Sequence, residues 1–152
     1  MELFRLTRRT YQNDLSGMGA YKYGARWNHK QHAMLYTASS RSLAMLETIV
    51  HLEKSQFLDD HCVMVIYVPD TVIMRQFSDR ELPNDWRVQE MYTKEVGTQW
   101  LTAQESLVLR VPSVLVKAEY NYLLNPAHMA FNDIKLIDIE PIEFDERFFQ
   151  KR

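Results

Sequence analysis

Residues 23–51, YGARWNHKQHAMLYTASSRSLAMLETIVH, contain one carboxylate, Glu47, and the spacing around it sets it among apolar neighbours. At 100° per residue, Leu43, Leu46, Ile49 and Val50 define one stripe of a helix, and Glu47, one turn from Leu43 and one short turn from Val50, is expected to face inward with it. A carboxylate facing inward without a partner costs several kcal/mol, so it either pairs with a cation such as an arginine or lines a cleft that water and ligand reach. Arg26 in GARW stands ten residues before Tyr36 in LYTA, and Tyr36 stands eleven before Glu47. Farther on, LRVPSVLV sets Ser113 among apolar strand residues, followed by EYNYLLNPAH. A planar guanidinium engages phosphate or carboxylate oxygens through paired, charge-assisted hydrogen bonds. A tyrosine offers a ring face and a hydroxyl, and a fixed carboxylate stabilises positive charge that develops on a reacting group. Each residue also has an ordinary reading: an ion pair for Glu47 and Arg26, a core aromatic for Tyr36, a strand hydroxyl bonded to backbone for Ser113.

Other chemistries fit poorly. No GxSxG elbow surrounds Ser113, and the five histidines are scattered without an acid/base pair or HExxH spacing. The single cysteine, Cys62, allows neither a disulfide framework nor a zinc cluster, and no metal is expected. Lys and Arg number 18 against 20 Asp and Glu, so the chain lacks the basic footprint of a protein that grips nucleic acid unaided. His29, His32 and His128 fall at loop-like, solvated positions.

The elements that must hold these residues read as α+β. LFRLTRR is a strand, SGMGAYKYGARW a glycine-bearing loop ending in a turn or short strand, and AMLYTA a buried strand. SSRSLAMLETIVHLEK is a capped helix, CVMVIYV a strand ended by Pro69-Asp70, and VIMRQF a further strand. DWRVQEMYTKEVGTQWLTAQ reads as a helix interrupted or bent near Gly97, and SLVLRVPSVLV, NYLLN and DIKLIDIEPIEF close the chain as strands. DERFFQKR offers two phenylalanines for docking on the body or on a partner. With 152 residues, 46% of them hydrophobic, and no repeat or linker, one domain over 1–152 is expected. No apolar run approaches a membrane span and MELFRLTRRT lacks a signal-peptide core, so a cytoplasmic protein beginning near Met1 is expected.

FRLTR, GARW, LYTA, AMLET and VPSV, in this order and spacing, resemble the RES domain, named for its Arg, Glu and Ser and found as the toxin half of bacterial RES–Xre toxin–antitoxin pairs. The resemblance runs from FRLTR to LIDIEP. It implies a single compact domain like the ADP-ribosyltransferase fold, with antiparallel or mixed sheets and inserted helices. It also implies an enzyme that breaks the nicotinamide–ribose bond of NAD, as a glycohydrolase or phosphorylase, with protein ADP-ribosylation or a non-catalytic partner-binding module as alternatives. By motif, the family's Arg, Tyr, Glu and Ser are Arg26, Tyr36, Glu47 and Ser113, the last chosen over Ser106 by its VPSV context, and a further NAD-site arginine is Arg5, with Arg8 and Arg9 as competing candidates. Asn121 and Asn125 in NYLLNP are expected to fix turns beside the cleft, and Asn121 is counted with the ligand-binding set. The implied partner is an Xre-like helix-turn-helix antitoxin that blocks the active site and supplies DNA binding; a homodimer within that complex is compatible, and no membrane is involved.

Overall fold

A computed structural model of the chain describes residues 1–52, 60–142 and 145. All seven expected strands are present: β1 (Glu2–Arg8), β2 (Leu35–Ala38), β3 (His61–Tyr67), β4 (Met74–Gln76), β5 (Val108–Pro112), β6 (Tyr120–Leu124) and β7 (Lys135–Pro141). They form one sheet in the order β4-β5-β6-β2-β1-β3-β7, parallel between β4 and β5 and antiparallel elsewhere. Helices α1 (Met18–Tyr23), α2 (Arg41–Ile49) and α3 (Glu90–Ala103) are inserted between strands, which makes the molecule α+β. Among the described residues, no helix is long and apolar enough to cross a membrane.

The sheet is buried on both faces, and the period-two alternation assigns residues to each. Leu3, Leu35, Met64, Ile66, Val108 and Leu124 form the core of one face. The other face carries two patches. Trp27, Met34, Trp86, Trp100, Leu109 and Leu123 cover the β5–β6–β2 half, and Phe4, Leu6, Leu43, Ala44, Val63 and Val65 cover the β1–β3 half. The division follows the pairing: β1 matches β3 along its whole length, from Glu2 opposite Tyr67 to Arg8 opposite His61, but meets β2 only where Phe4 faces Ala38. The sheet therefore splits between β1 and β2.

Three local expectations are corrected. The glycine-bearing stretch is not all loop, because α1 forms within it, bounded by Gly17 at φ 70° and Gly24 at φ 68°. The glycines are helix boundaries, where positive φ suits a residue without Cβ; at Gly17 a Cβ would also lie 2.8 Å from the Met34 backbone. Helix α3 runs unbroken through Gly97 and begins only at Glu90, with 84–88 forming turns before it. Gly97 is there for contact: a Cβ at this position would come within 1.9 Å of the Trp27 carbonyl oxygen. Third, β5 stops at Pro112, so Ser113 follows the strand instead of lying in it. The end of the expected α2 helix at Glu53 and Lys54, and the two phenylalanines of DERFFQKR, lie outside the described residues.

Candidate active site

The inward placement of Glu47 holds, but for a different reason than the apolar stripe suggested. Leu46 and Val50 are 44% and 50% exposed, and α2 buries Leu43 and Ala44 instead. Ser40 starts the helix, its hydroxyl accepting from the Leu43 N–H at 3.1 Å. The face one turn beyond Leu43 then borders a cavity of about 600 Å³ between the two apolar patches, over the split in the sheet. That volume lies within the ~300–1,000 Å³ typical of ligand pockets. Arg5, Arg26, Tyr36, Glu47 and Asn121 all line it.

Glu47 makes no ion pair among the described residues. Its Oε1 instead accepts from Ser113 Oγ at 2.8 Å and from Asn121 Nδ2 at 2.6 Å. Both donors are neutral and both grip the same oxygen, which fixes the carboxylate without neutralising it. The β5–β6 hairpin delivers them together. Asn121 lies in β6 opposite Val111, in a strand where the sequence suggested a turn, and the Ser113 N–H donates to the Glu119 carbonyl at 2.8 Å across the hairpin. Asn125 does fix a turn, accepting from Ala127 N at 3.0 Å and donating to the Leu101 carbonyl at 3.0 Å. Ser113 Oγ also accepts from the Leu115 and Val116 N–H groups, each at 3.1 Å, so the hydroxyl has one donation and two acceptances in place. Ser113 itself is buried and does not line the cavity, so its link to the site is the hydrogen bond to Glu47.

Arg26 and Tyr36 meet in the turn after α1. The Tyr36 hydroxyl donates to Asn28 Oδ1 at 2.7 Å and accepts from the Trp27 N–H at 3.0 Å, and the residue lines the cavity. Burial raises the phenol pKa well above its ordinary value, against the opposing pull of the Trp27 hydrogen bond and Arg5, so the hydroxyl stays neutral. Arg26 Nη2 donates to the Arg87 carbonyl and, at 3.5 Å, to the Trp86 carbonyl, and the guanidinium lies 5.8 Å from the centre of the Trp86 ring. Its Nε is buried without a hydrogen-bond partner among the described residues.

Arg5 bridges the split. Alternation sends its side chain from the face that carries Leu3, and Nη1 donates to the Tyr36 carbonyl at 2.9 Å. One guanidinium thus stands in where the β1–β2 ladder lapses. Burial lowers its pKa from the ordinary value, opposed by Asp14 and by Tyr36. Arg8 and Arg9 are exposed and do not line the cavity, so Arg5 is the arginine of that trio at the site.

Four contributors escaped the sequence reading. Asn28, fully buried, donates through Nδ2 to the Ala20, His29 and His32 carbonyls, each at 3.0 Å, and so braces the turn that Tyr36 holds. Thr93 Oγ1 donates to the Arg26 carbonyl at 2.7 Å, while Glu90 and His51 line the cavity. None sits in a motif, and the Thr93 contact spans 67 positions of sequence. Among the described residues there is no group of three or more His, Cys, Asp or Glu side chains placed to hold a metal ion.

Residues 2–145 match the family model described as RES domain. The chain is 43% identical over 147 residues to a protein of Yersinia enterocolitica named Toxin Res, covering 95% of both chains. It is 38% identical over 148 residues to the Prs ADP-ribosylating toxin of a Sphingobium species, covering 94% of this chain and 92% of that one. Among solved structures, the fold is similar to a chain in the crystal structure of the M. tuberculosis MbcT–MbcA toxin–antitoxin complex, with a TM-score of 0.73 at 19% identity over 93% of this chain and 83% of the other.

Proposed function

The chain belongs to the RES domain family, and on that footing we propose that it is the toxin of a toxin–antitoxin pair and that it cleaves NAD between nicotinamide and ribose. The observation that carries this reading is the clamped carboxylate: Glu47 held through Oε1 by Ser113 and Asn121 at the wall of a cavity that also presents Arg26 and Tyr36. In the reaction, nicotinamide departs with the bonding electron pair as a neutral pyridine and the ribose carbon becomes positively charged. Water or phosphate then bonds to that carbon, and water gives up a proton. A carboxylate already fixed by two hydrogen bonds stabilises the cationic sugar without reorganising, and that stabilisation is greater in the transition state than in bound NAD. The Tyr36 ring suits the cationic nicotinamide, and Arg26 is the cation we assign to the pyrophosphate. Arg5 lines the same cavity, with Nη1 on the Tyr36 carbonyl.

The test is to incubate the purified protein with NAD labelled on the adenine side, with and without phosphate, and identify the products. Nicotinamide with free ADP-ribose, or with its phosphorylated form when phosphate is added, supports cleavage; failure to consume NAD removes the proposal. A second reading, transfer of ADP-ribose to a protein, is favoured by the name of the Sphingobium relative. Label that becomes protein-bound in a host extract identifies it. A non-catalytic partner-binding module consumes no NAD.

The partner that fits is an Xre-like helix-turn-helix antitoxin seated over the cavity, whose acidic segment or terminal carboxylate meets Arg26. It also supplies DNA binding that a chain of net charge −2 lacks. The similar solved chain is part of a toxin–antitoxin complex, which supports such a partner. Tight operator binding by this chain alone at physiological salt contradicts the assignment, and the mass of the complex in solution tests for a homodimer within it.

A further inference from the structure

Helix α3 contributes only Glu90 to the cavity wall, yet it and the turn leading into it contact Arg26 from several sides. Thr93 Oγ1 donates to the Arg26 carbonyl at 2.7 Å and to the Glu90 carbonyl at 3.0 Å. At Gly97 the helix has no side chain, and the Trp27 carbonyl occupies the space that a Cβ would take. Thr98 Oγ1 accepts from the His29 N–H at 3.0 Å. Positions 93 and 97 lie one turn apart on one face of the helix and 98 borders that face, so three contacts along α3 fasten residues 26, 27 and 29 in order. The guanidinium is held by the same unit, through the Trp86 and Arg87 carbonyls and the Trp86 ring.

We propose that the stretch of α3 that carries Thr93, Gly97 and Thr98 is the positioning element for Arg26, and that Thr93 and Gly97 set NAD binding without touching the substrate. The alternative, that these residues only stabilise the fold, is separated by where the effect appears. The turn is fixed from its far side by Tyr36 and Asn28 as well, so loosening the α3 side shifts the arginine while leaving the turn attached to β2. Glu47 is held by the β5–β6 hairpin, an independent support. Loosening α3 therefore affects substrate binding and spares the chemical step.

The NAD-dependent part of this inference rests on the proposed function, so the experiment has two arms. The first is amide hydrogen exchange at Trp27, Asn28 and His29 in the wild type, Thr93→Val and Gly97→Ala; exchange there is expected to accelerate at least about tenfold in both variants, with β3 unchanged. The second is NAD cleavage by the same preparations, in which KM is expected to rise about tenfold or more with kcat within about twofold, while Thr93→Ser, which keeps the donor, restores the wild-type KM. Unchanged exchange in the turn, or a fall in kcat at constant KM, overturns the proposal. Should the wild type not cleave NAD, the functional reading fails by itself, and the exchange arm still decides whether α3 fastens the turn. If Gly97→Ala does not fold, Thr93→Val carries both arms.

Discussion

Ser113 Oγ donates to Glu47 Oε1 over 2.8 Å while accepting from the backbone of Leu115 and Val116, so one hydroxyl orders both the carboxylate and the loop after β5. Ser113→Ala removes one of two donors to Glu47 and leaves two N–H groups without their acceptor. It is expected to cost about 1–3 kcal/mol in stability. Turnover falls about tenfold or more with little change in KM, since Asn121 still holds Glu47 from one side. Denaturant unfolding and steady-state kinetics on one preparation check both effects.

Tyr36→Phe separates a supporting hydroxyl from one that meets a ligand. Removing it leaves Asn28 Oδ1 and the Trp27 N–H unpaired in a buried turn. The expected loss is about 1–3 kcal/mol of unfolding free energy. A hydroxyl reserved for the ligand predicts unchanged stability, which a urea titration without NAD detects directly.

Arg26→Lys keeps the charge and loses the planar fork. Lysine cannot reproduce the guanidinium's several directed donors, so NAD binding is expected to weaken by about 1.5–3 kcal/mol, seen as a higher KM or a weaker calorimetric Kd. Unchanged affinity in both Arg26→Lys and Arg26→Ala removes this residue from the pyrophosphate site.

Asp14 supplies a pH-dependent contribution beside Arg5. Hydrogen bonds from Ser16, with the nearby guanidinium, hold its carboxyl below the ordinary value. A carboxylate with a depressed folded-state pKa contributes stability that is complete above its unfolded pKa and lost as pH falls through the folded one. The stability advantage of wild type over Asp14→Asn is therefore present at neutral pH and shrinks below about pH 4, the ordinary range for aspartate. Melting curves across pH 3–7 for the two proteins test the sign.

The strands were legible because each carries its own signal: β1 and β3 alternate or run apolar, and Pro69 ends β3; Pro112, which ends β5, was read through. Glu47 was legible for an incomplete reason. Helical spacing placed it one turn from Leu43, but the same spacing counted Leu46 and Val50 as core when they are exposed. Periodicity reports which residues share a face, and the neighbours decide whether that face meets core, cavity or solvent. Gly97 was misread because a glycine in a helix signals weakness locally, whereas its purpose lies in the Trp27 carbonyl, 70 residues earlier in the chain. Asn28 and Thr93 were invisible for the same reason: their partners are set by tertiary packing, and no local pattern distinguishes a buried brace from a surface polar residue. The split between β1 and β2, which opens the cavity, likewise follows from how the strands pair and leaves no local mark in either strand.

The most direct measurement is NAD turnover by Glu47→Gln, followed alongside thermal melting of the same sample. Glutamine keeps the shape and can still accept through its amide oxygen from Ser113 and Asn121. What it removes is the negative charge that opposes the sugar cation. Turnover is expected to fall by at least about a hundredfold, with NAD affinity little changed and the protein still folded at the assay temperature. A Glu47→Gln protein that melts like wild type and consumes NAD at the wild-type rate would contradict the central claim.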